Sequence, residues 1–561
     1  MNAQSTARLK IGLIVDSKMS SKYVYDLAQW AHHQDNLTIS HLIVQTIPTN
    51  KSAIHRAVQI IKQKGLLDFL SRGSFRMLEQ LEFLVLKRHT IYKHHFTQFN
   101  LGDVVTAAIA VTPIISRSGI VYRYTDSDIA RLRSEHFDLL IRCGSGLLRG
   151  DILNASRFGV ISFHHGDNRI NRGGPAGFWE VYFRQASTGF IIQQLTEELD
   201  GGNVLFRGAC PTRYFHLLNQ AALCEKSIYY MQALLSRTAI SRTLPAANVS
   251  LPYSNTLFKR PTLSEQFRYG RRLLFWVAQK QFRKLLGKRL TWSVAFSLGD
   301  WRTLVMWRGV KIDNPKNRYL ADPFVTNHGG ESYCFVEEFN QTTSIGCISV
   351  YKLKDRSFER IGTAIAEPFH LSFPYLFEFE SELYMCPETS KNRDIRIYEC
   401  VEFPLQWRLR KIVMSNISAA ENMIFERNGL WWLFTNIDTA NVGDHSSELF
   451  IFCADTPLSE WQSHAKNPIF VDSAKARNGG LLFDGDAVFR VSQKQGFDAY
   501  GKGSDLNQIQ VLSKTEYSET TVGSIDPNFS KGLEGTHHMH SNGKFTVFDL
   551  AKYDFISRHS N

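Results

Sequence analysis

The sequence lacks several features that would assign it to a simple class. Its eight cysteines include no C-x-x-C pair, so neither a zinc site nor a thioredoxin-like motif is indicated. Its longest apolar run, 104–115, is about half of a membrane-spanning helix. The first residues lack the apolar stretch of a signal peptide. These absences predict a cytoplasmic protein with reduced thiols and no bound metal.

Acidic residues are in the minority. There are 53 Asp and Glu against 65 Lys and Arg, a net charge of +12. This balance indicates an anionic partner, such as a phosphorylated substrate, a nucleic acid or a membrane surface. The sequence contains no nucleic-acid recognition motif, so we expect no nucleic-acid partner. A chain of 561 residues with 43% hydrophobic and 21% charged residues predicts two or three packed domains rather than disorder.

The first 235 residues alternate between apolar strand-like runs and helical patterns. Strands are predicted at 10–15, 38–44, 137–142 and 159–164, with a helix over 74–87. Strands that alternate with helices are typical of an α/β domain with a mainly parallel sheet. We therefore predict a first domain over 1–235.

A linker with a basic segment is predicted over 236–295. Within 259–289, ten Lys and Arg residues and one acid are interleaved with apolar residues. Such a segment can form an amphipathic helix that lies on an anionic membrane or a partner. It can equally be an inter-domain helix that packs its apolar face on its own protein.

The region 296–561 repeats a hairpin pattern about every 50 residues. Each unit has a strand, a tight turn and an aromatic strand, as in Glu421 to Phe425, Asn428-Gly429 and Trp431 to Phe434. The pattern occurs five times and predicts an all-β domain, a five-bladed β-propeller.

Polar residues with catalytic potential cluster near the predicted strand 159–164. His164 ends that strand, where ligands bind in open α/β sheets. Asp200 precedes two glycines and can supply a carboxylate that orients the histidine. The ordered set is His164, Arg172, Gly173, Thr188, Gly189, Asp200 and Gly202.

This ordered set resembles the N-terminal domain of folate-dependent N-formyltransferases. The resemblance covers roughly 8–235 and implies formyl transfer from 10-formyltetrahydrofolate to an amine. It implies that His164 and Asp200 are catalytic and that Arg172, Gly173, Thr188, Gly189 and Gly202 bind substrate or cofactor. Ser162 stands where the family has an asparagine that donates to the oxyanion, so His165 or Asn168 would supply that donor.

A second resemblance covers about 300–552. The strings Ala321 to Phe324, Pro387 to Ser390, Trp431 to Phe434 and Gly535 to His538 are similar to the N-terminal domain of plant glucosamine inositolphosphorylceramide transferase, and the propeller is of the furanosidase type. It implies a sugar-binding or sugar-processing pocket, because paired carboxylates serve as acid and base in glycoside chemistry. The predicted pocket residues are Asp322, Glu337 or Glu338 (with Glu338 preferred), Glu388, Glu421, Arg477, His537 and His538. The same acids can instead be turn caps or structural ion pairs.

Two resemblances together predict a glycan-related enzyme. The first hypothesis is an N-formyltransferase that modifies an amino sugar or sugar nucleotide in surface-glycan biosynthesis, in the cytoplasm or at the inner membrane face. The alternative is a glycan-active protein whose propeller carries glycosyl transfer, hydrolysis or sugar binding, with a degenerate first domain that only binds a ligand. A non-enzymatic carbohydrate-binding scaffold is the third hypothesis.

Overall fold

The computed structural model describes residues 8–47, 61–62, 65–117, 119–198, 201–249 and 251–555. The chain divides into two compact units, Met1–Leu274 and Phe275–Asn561. The first unit has an α/β sheet and the second is all-β apart from the end of one long helix and short helical turns. An α/β region followed by an all-β region agrees with the predicted fold class, and the boundary between the two units falls within the predicted linker 236–295.

A seven-stranded sheet forms the centre of the first unit. From edge to edge its strands are Asn203–Pro211, Ser187–Gln194, Val160–His164, Leu139–Arg142, Leu9–Val15, Leu37–Gln45 and Ala108–Val111. The last five are parallel and the first two pair antiparallel. The four strands predicted from apolar runs are confirmed. Apolar runs predict such strands because strands of a parallel sheet are covered on both faces.

The chain changes direction along this sheet between Leu9–Val15 and Leu139–Arg142. The strands Leu37–Gln45 and Ala108–Val111 lie on one side of Leu9–Val15, and Leu139–Arg142 begins the other side. The carboxyl ends at such a switch leave a crevice because the connections depart in opposite directions.

Six helices are described. They are Lys22–His32, Leu66–Leu86, Asp126–Ser134, Phe178–Phe183, His216–Ser241 and Leu263–Leu285. The helix predicted over 74–87 begins earlier, at Leu66. Two small sheets complete the unit, one from Met19–Ser21 and Gln98–Asn100, the other from Ile114–Ile115, Val121–Arg123 and Leu147–Leu148. Within the described residues, no helix is both long and apolar enough to span a bilayer.

The second unit contains five antiparallel sheets, here sheets 1 to 5. Sheet 1 is Arg318–His328, Glu331–Asn340, Ile345–Lys354 and Ser357–Ile365. Sheet 2 is Ser372–Phe379, Glu382–Glu388, Asp394–Glu402 and Gln406–Ser415. Sheet 3 is Ala419–Arg427, Leu430–Ile437, Glu448–Ala454 and Gln462–Ser463, with Phe470–Val471 paired beside it. Sheet 4 is Asn478–Asp484, Ala487–Gly496, Ala499–Leu512 and Tyr517–Ile525. Sheet 5 is Leu533–Gly535, Met539–Ser541, Phe545–Phe555, Lys288–Leu298 and Val310–Lys311.

The sheets form a closed ring, as in a propeller-like fold. We call Arg318–His328, Ser372–Phe379, Ala419–Arg427, Asn478–Asp484 and Met539–Ser541 the inner strands. Each inner strand contacts the inner strand of the next sheet, and that of sheet 5 contacts that of sheet 1. Sheet 5 closes the ring because Lys288–Leu298 pairs along its whole length with Phe545–Phe555.

Candidate functional site

A repeated distortion of the inner strands produces the site. In sheets 1 to 4, two residues of the inner strand bulge out of the pairing with the next strand. One residue in each bulge has a positive φ: Asp322 at 49°, Phe373 at 46°, Glu421 at 51° and Gly480 at 119°. Such a φ is strained for residues other than glycine, by roughly 1–3 kcal/mol, and bulges of this kind re-aim side chains near active sites.

Two further carboxylates come from equivalent positions on the strands that pair with the inner strands of sheets 1 and 2. Glu337 pairs opposite Ala321 in sheet 1, and Glu388 pairs opposite Ser372 in sheet 2. Together with Asp322 and Glu421 they form what we call the acidic cluster. All four residues are buried, and their charges influence one another.

His537 lies between two of the buried acids. Its Nε2 is 3.2 Å from Oδ1 of Asp322, and its Nδ1 is 2.6 Å from Oδ2 of Asp549. Burial alone would lower the pKa of His537, but Asp549 and Asp322 outweigh it and raise the pKa to about 10. The ring is therefore an imidazolium at neutral pH.

Arg477 supplies the second cation. Its Nη2 and Nε donate to Oε1 of Glu421 at 2.6 and 3.1 Å, and Gln493 donates to the same oxygen at 3.2 Å. Burial raises the pKa of Glu421 to about 8, with Arg477 opposing the rise and Asp322 and Glu388 adding to it. Glu421 is therefore a carboxyl that can carry a proton at neutral pH.

Tyr500 marks where the cluster meets solvent. The Arg477 guanidinium lies 4.8 Å from the centre of its ring, and the His537 ring is 5.0 Å away. Tyr500 is 41% exposed, whereas the acids beneath it are buried. The exposed part of its side chain can therefore contact a molecule that enters from solvent.

Glu337 is the second acid of the cluster whose pKa is raised. Burial raises its pKa well above the ordinary value, and Asp322 and Glu388 add to the shift while His537 opposes it. Its Oε1 lies 3.7 Å from Nε2 of His370. Glu388 accepts a hydrogen bond of 2.6 Å from Ser390. The site thus combines carboxyls of raised pKa with fixed cations, an arrangement suited to acid–base chemistry on a sugar.

The side chains of Asp322, His537 and Asp549 also have the spacing of a metal site. One ligand atom from each lies within 4.8 Å of the others. Both ring nitrogens of His537 face a carboxylate, however, and the raised pKa keeps both protonated. A metal ion held by these three residues would take a ring nitrogen of His537 in place of its proton.

Two predicted pocket residues lie outside the cluster. Glu338 points to the other face of its strand, where Arg318, Arg360 and Ser349 bind its carboxylate at 2.8, 3.1 and 2.7 Å. Nε2 of His538 donates to the carbonyl oxygen of Pro323 at 2.9 Å, and the ring packs against Phe324. Burial lowers the pKa of His538 to about 3, so it is a neutral core residue.

Two residues of the site, Asp549 and Tyr500, were not predicted from the sequence, and Glu337 was named only as the alternative to Glu338. Glu337 follows Tyr333 by the same spacing as Glu388 follows Tyr384, so an alignment of the two hairpins selects Glu337 over Glu338. Asp549 lies on Phe545–Phe555, outside the inner strands. Tyr500 comes from the third strand of sheet 4, and no sequence signal identifies it.

The first unit has a cavity of about 240 Å³ at the carboxyl edge of its sheet. Ser162 and His165 line it, with Arg142, Cys224 and Ser227. His165 contacts the hydroxyl of Ser227 at 3.1 Å, and burial lowers its pKa to about 4. The hydroxyl of Ser162 donates to the carbonyl of Phe163 at 3.1 Å. This cavity lies at the switch in strand order.

The other predicted residues of the first unit have structural contacts. Nε2 of His164 is 2.9 Å from the carbonyl of Asn171, and Thr188 bonds Thr212 at 2.9 Å. Asp200 lies outside the described residues. The side chain of Asn168 accepts a hydrogen bond from Arg207, and the guanidinium of Arg172 lies over the ring of Tyr253. The remaining three residues are glycines in close contact with neighbouring chain segments: Gly173 with Phe258, Gly189 with Asp167 and Gly202 with the carbonyl of Gln194.

Comparisons with known proteins concern mainly the second unit. The model of one family, glucosamine inositolphosphorylceramide transferase 1, N-terminal, matches residues 305–557. Glucosamine inositolphosphorylceramide transferase 1 of Arabidopsis thaliana is 37% identical over 295 residues, which is 47% of this chain and 38% of that protein. This chain therefore spans well under half of the relative's length.

Two solved structures are also similar. Zg3597, a family 117 glycoside hydrolase of Zobellia galactanivorans, is 11% identical, with a TM-score of 0.32 over 49% of this chain and 93% of that one. Glycinamide ribonucleotide transformylase 1 of Symbiobacterium toebii is 13% identical, with a TM-score of 0.27 over 44% of this chain and 94% of that one.

The prediction that this chain transfers a formyl group is wrong. The relatives that match are named as transferases of a glucosamine inositolphosphorylceramide, which favours the glycan-active alternative. The family match supports the resemblance of the second unit to the N-terminal domain of glucosamine inositolphosphorylceramide transferase. No family match supports the resemblance of the first unit to N-formyltransferases. The predicted 10-formyltetrahydrofolate cofactor and the cytoplasmic location stay untested.

Proposed function

We propose that this chain is a glycan-active enzyme and that the acidic cluster binds an amino sugar for glycosyl transfer or hydrolysis. The observation that supports this most directly is the burial of four carboxyls at equivalent positions of neighbouring sheets, two of which have raised pKa values. Proton-holding acids beside ionised groups are how glycoside chemistry assigns its acid and base. We further propose that sheets 1 to 5 are the five blades of a propeller around this cluster.

An amino sugar fits the charge of the cluster. Even with protons on Glu337 and Glu421, the carboxyls of Asp322, Glu388 and Asp549 outnumber the cations Arg477 and His537. His370 and His445 do not add charge at neutral pH, because burial lowers their pKa values. An ammonium group on the sugar therefore meets an excess of carboxyls. The name of the relatives contains glucosamine, which agrees with this substrate class.

Proton release is the signature of this mode of binding. An ammonium placed beside Glu421 or Glu337 lowers the pKa of that carboxyl and expels its proton. Titration of the full chain with glucosamine at pH 7, in buffers of different ionisation enthalpy, should show protons released on binding. N-acetylglucosamine has no ammonium and should bind more weakly, without proton release.

A matched pair of variants tests whether the released protons come from the acidic cluster. Glu421→Gln removes one titrating proton, and Glu426→Gln makes the same change at an exposed residue on the same strand. We expect Glu421→Gln to reduce the number of protons released and Glu426→Gln to leave it unchanged. Absence of glucosamine binding at millimolar concentration, or equal effects of both variants, would contradict the proposal.

A further inference from the structure

A sharp turn brings two groups of cations together at the start of the second unit. The helix Leu263–Leu285 is followed by Gly287 with φ 68°, a conformation that favours glycine after a helix end. Its amide donates to the carbonyl of Lys284 at 3.0 Å. The chain then enters strand Lys288–Leu298, so Lys288 and Arg289 lie beside the last turn of the helix.

Five cations in this place have no anionic partner among the described residues. They are Lys280, Arg283, Lys284, Lys288 and Arg289. Three of them lie over aromatic rings: Lys280 over Trp276 at 4.8 Å, Arg283 over Tyr553 at 3.8 Å and Lys288 over Phe555 at 4.6 Å. The rings hold these side chains in place without neutralising their charge.

These residues surround a cavity of about 860 Å³. Its size is within the range of small-molecule sites, which is about 300–1,000 Å³. Asp498 is the one acid among the residues that line it, and the apolar part of the lining includes Leu285 and Leu286. Five cations around one concave surface create a positive potential that attracts an anion with several charges.

We propose that this cavity, separate from the acidic cluster, is a binding site for a phosphorylated ligand. Phosphate oxygens can accept hydrogen bonds from the Arg283 and Arg289 guanidiniums and from the three lysines. The rings and leucines provide an apolar surface for the rest of the ligand. The phosphate can belong to a soluble molecule or to a lipid headgroup, and both present the same chemistry to these cations.

Binding measurements on the full chain test this site. Inorganic pyrophosphate is the soluble probe, measured by calorimetry at low and high salt. Mixed phosphatidylcholine–phosphatidylinositol vesicles are the lipid probe, measured by co-sedimentation against pure phosphatidylcholine vesicles. The test variant is Arg283→Gln/Lys284→Gln. The control, Lys466→Gln/Lys531→Gln, removes two charges from exposed residues elsewhere in the same unit.

We expect the test variant to bind about tenfold more weakly and the control to bind within twofold of the unchanged chain. Pyrophosphate binding with this pattern identifies a soluble ligand, and vesicle binding alone with this pattern identifies a lipid headgroup. No binding to either probe, or equal weakening by test and control variants, overturns the proposal. Because Arg283 contacts Tyr553, Lys284→Gln alone is measured as well, and thermal unfolding verifies that each variant is folded.

Discussion

At the scale of single residues, the site depends on where protons are held. His537 is a cation because two buried carboxylates flank it, and the pKa values of Glu421 and Glu337 are raised because burial opposes their charge. Adjacent residues in the sequence have opposite roles: His538 is neutral and packed, and Glu338 is an ion-paired residue on the other face of its strand. The electrostatic environment, rather than the residue type, therefore distinguishes the residues of the site from neighbours of the same type that have a structural role.

His537 should make the stability of the second unit depend on pH. Its folded pKa of about 10 lies above the ordinary 6.5, so its contribution is full below pH 6.5 and is lost as the pH rises toward 10. We expect the free energy of unfolding to fall by roughly 3–5 kcal/mol over that range. Chemical denaturation at pH 6, 8 and 10 measures it.

A neighbouring histidine provides the control. Burial lowers the pKa of His540 to about 4, so it does not titrate in this window. His540→Gln should retain the alkaline loss of stability, and His537→Gln should remove the part of it between pH 8 and 10, where the raised pKa of Glu421 no longer contributes. A flat profile in the unchanged chain would show that His537 is not held as an imidazolium.

At the scale of elements, the repeated bulge is the feature that positions the cluster. In sheet 4 the bulge contains two glycines, and a Cβ on Gly480 would lie 2.3 Å from the carbonyl oxygen of Met539 on the inner strand of sheet 5. The small residue therefore permits neighbouring inner strands to approach closely where the acids of other sheets project.

Gly480→Ala should destabilise the second unit by about 2–4 kcal/mol, because alanine meets both an unfavourable φ and a backbone overlap. Gly330→Ala isolates the first effect, since Gly330 has φ 79° but a Cβ there would have no atom within 4 Å. We expect Gly330→Ala to cost about 1 kcal/mol. If thermal or chemical unfolding shows that both variants lose the same free energy of unfolding, the close approach of the strands at Gly480 does not contribute to the cost.

At the scale of the whole molecule, each unit has its own hydrophobic core. Leu140 belongs to the core of the first unit and Val294 to that of the second, and both are fully buried. Scanning calorimetry should show two transitions. Leu140→Ala should lower one midpoint and Val294→Ala the other. A single transition that both substitutions displace would show that the units unfold together.

Much of this organisation follows from the sequence. Apolar runs identified the parallel strands, because such strands are buried on both faces, and the recurrence of hairpins indicated the β-rich second unit. The acids Asp322, Glu388 and Glu421 were also predicted, from their places in the repeated hairpins. Glu338 was preferred over Glu337 because a run of two acids does not show which faces inward, and Tyr500 was missed because its position depends on folding of the third strand.

The most direct test of the central claim compares those two adjacent acids. Glu337 belongs to the acidic cluster and Glu338 to an ion pair on the opposite face. The measurement is glucosamine affinity, by titration calorimetry, of Glu337→Gln and Glu338→Gln in the full chain at pH 7. We expect Glu337→Gln to weaken binding at least about tenfold, and Glu338→Gln to lower stability but leave the affinity of the folded protein unchanged. Unchanged affinity in Glu337→Gln, or weaker binding only in Glu338→Gln, would contradict it.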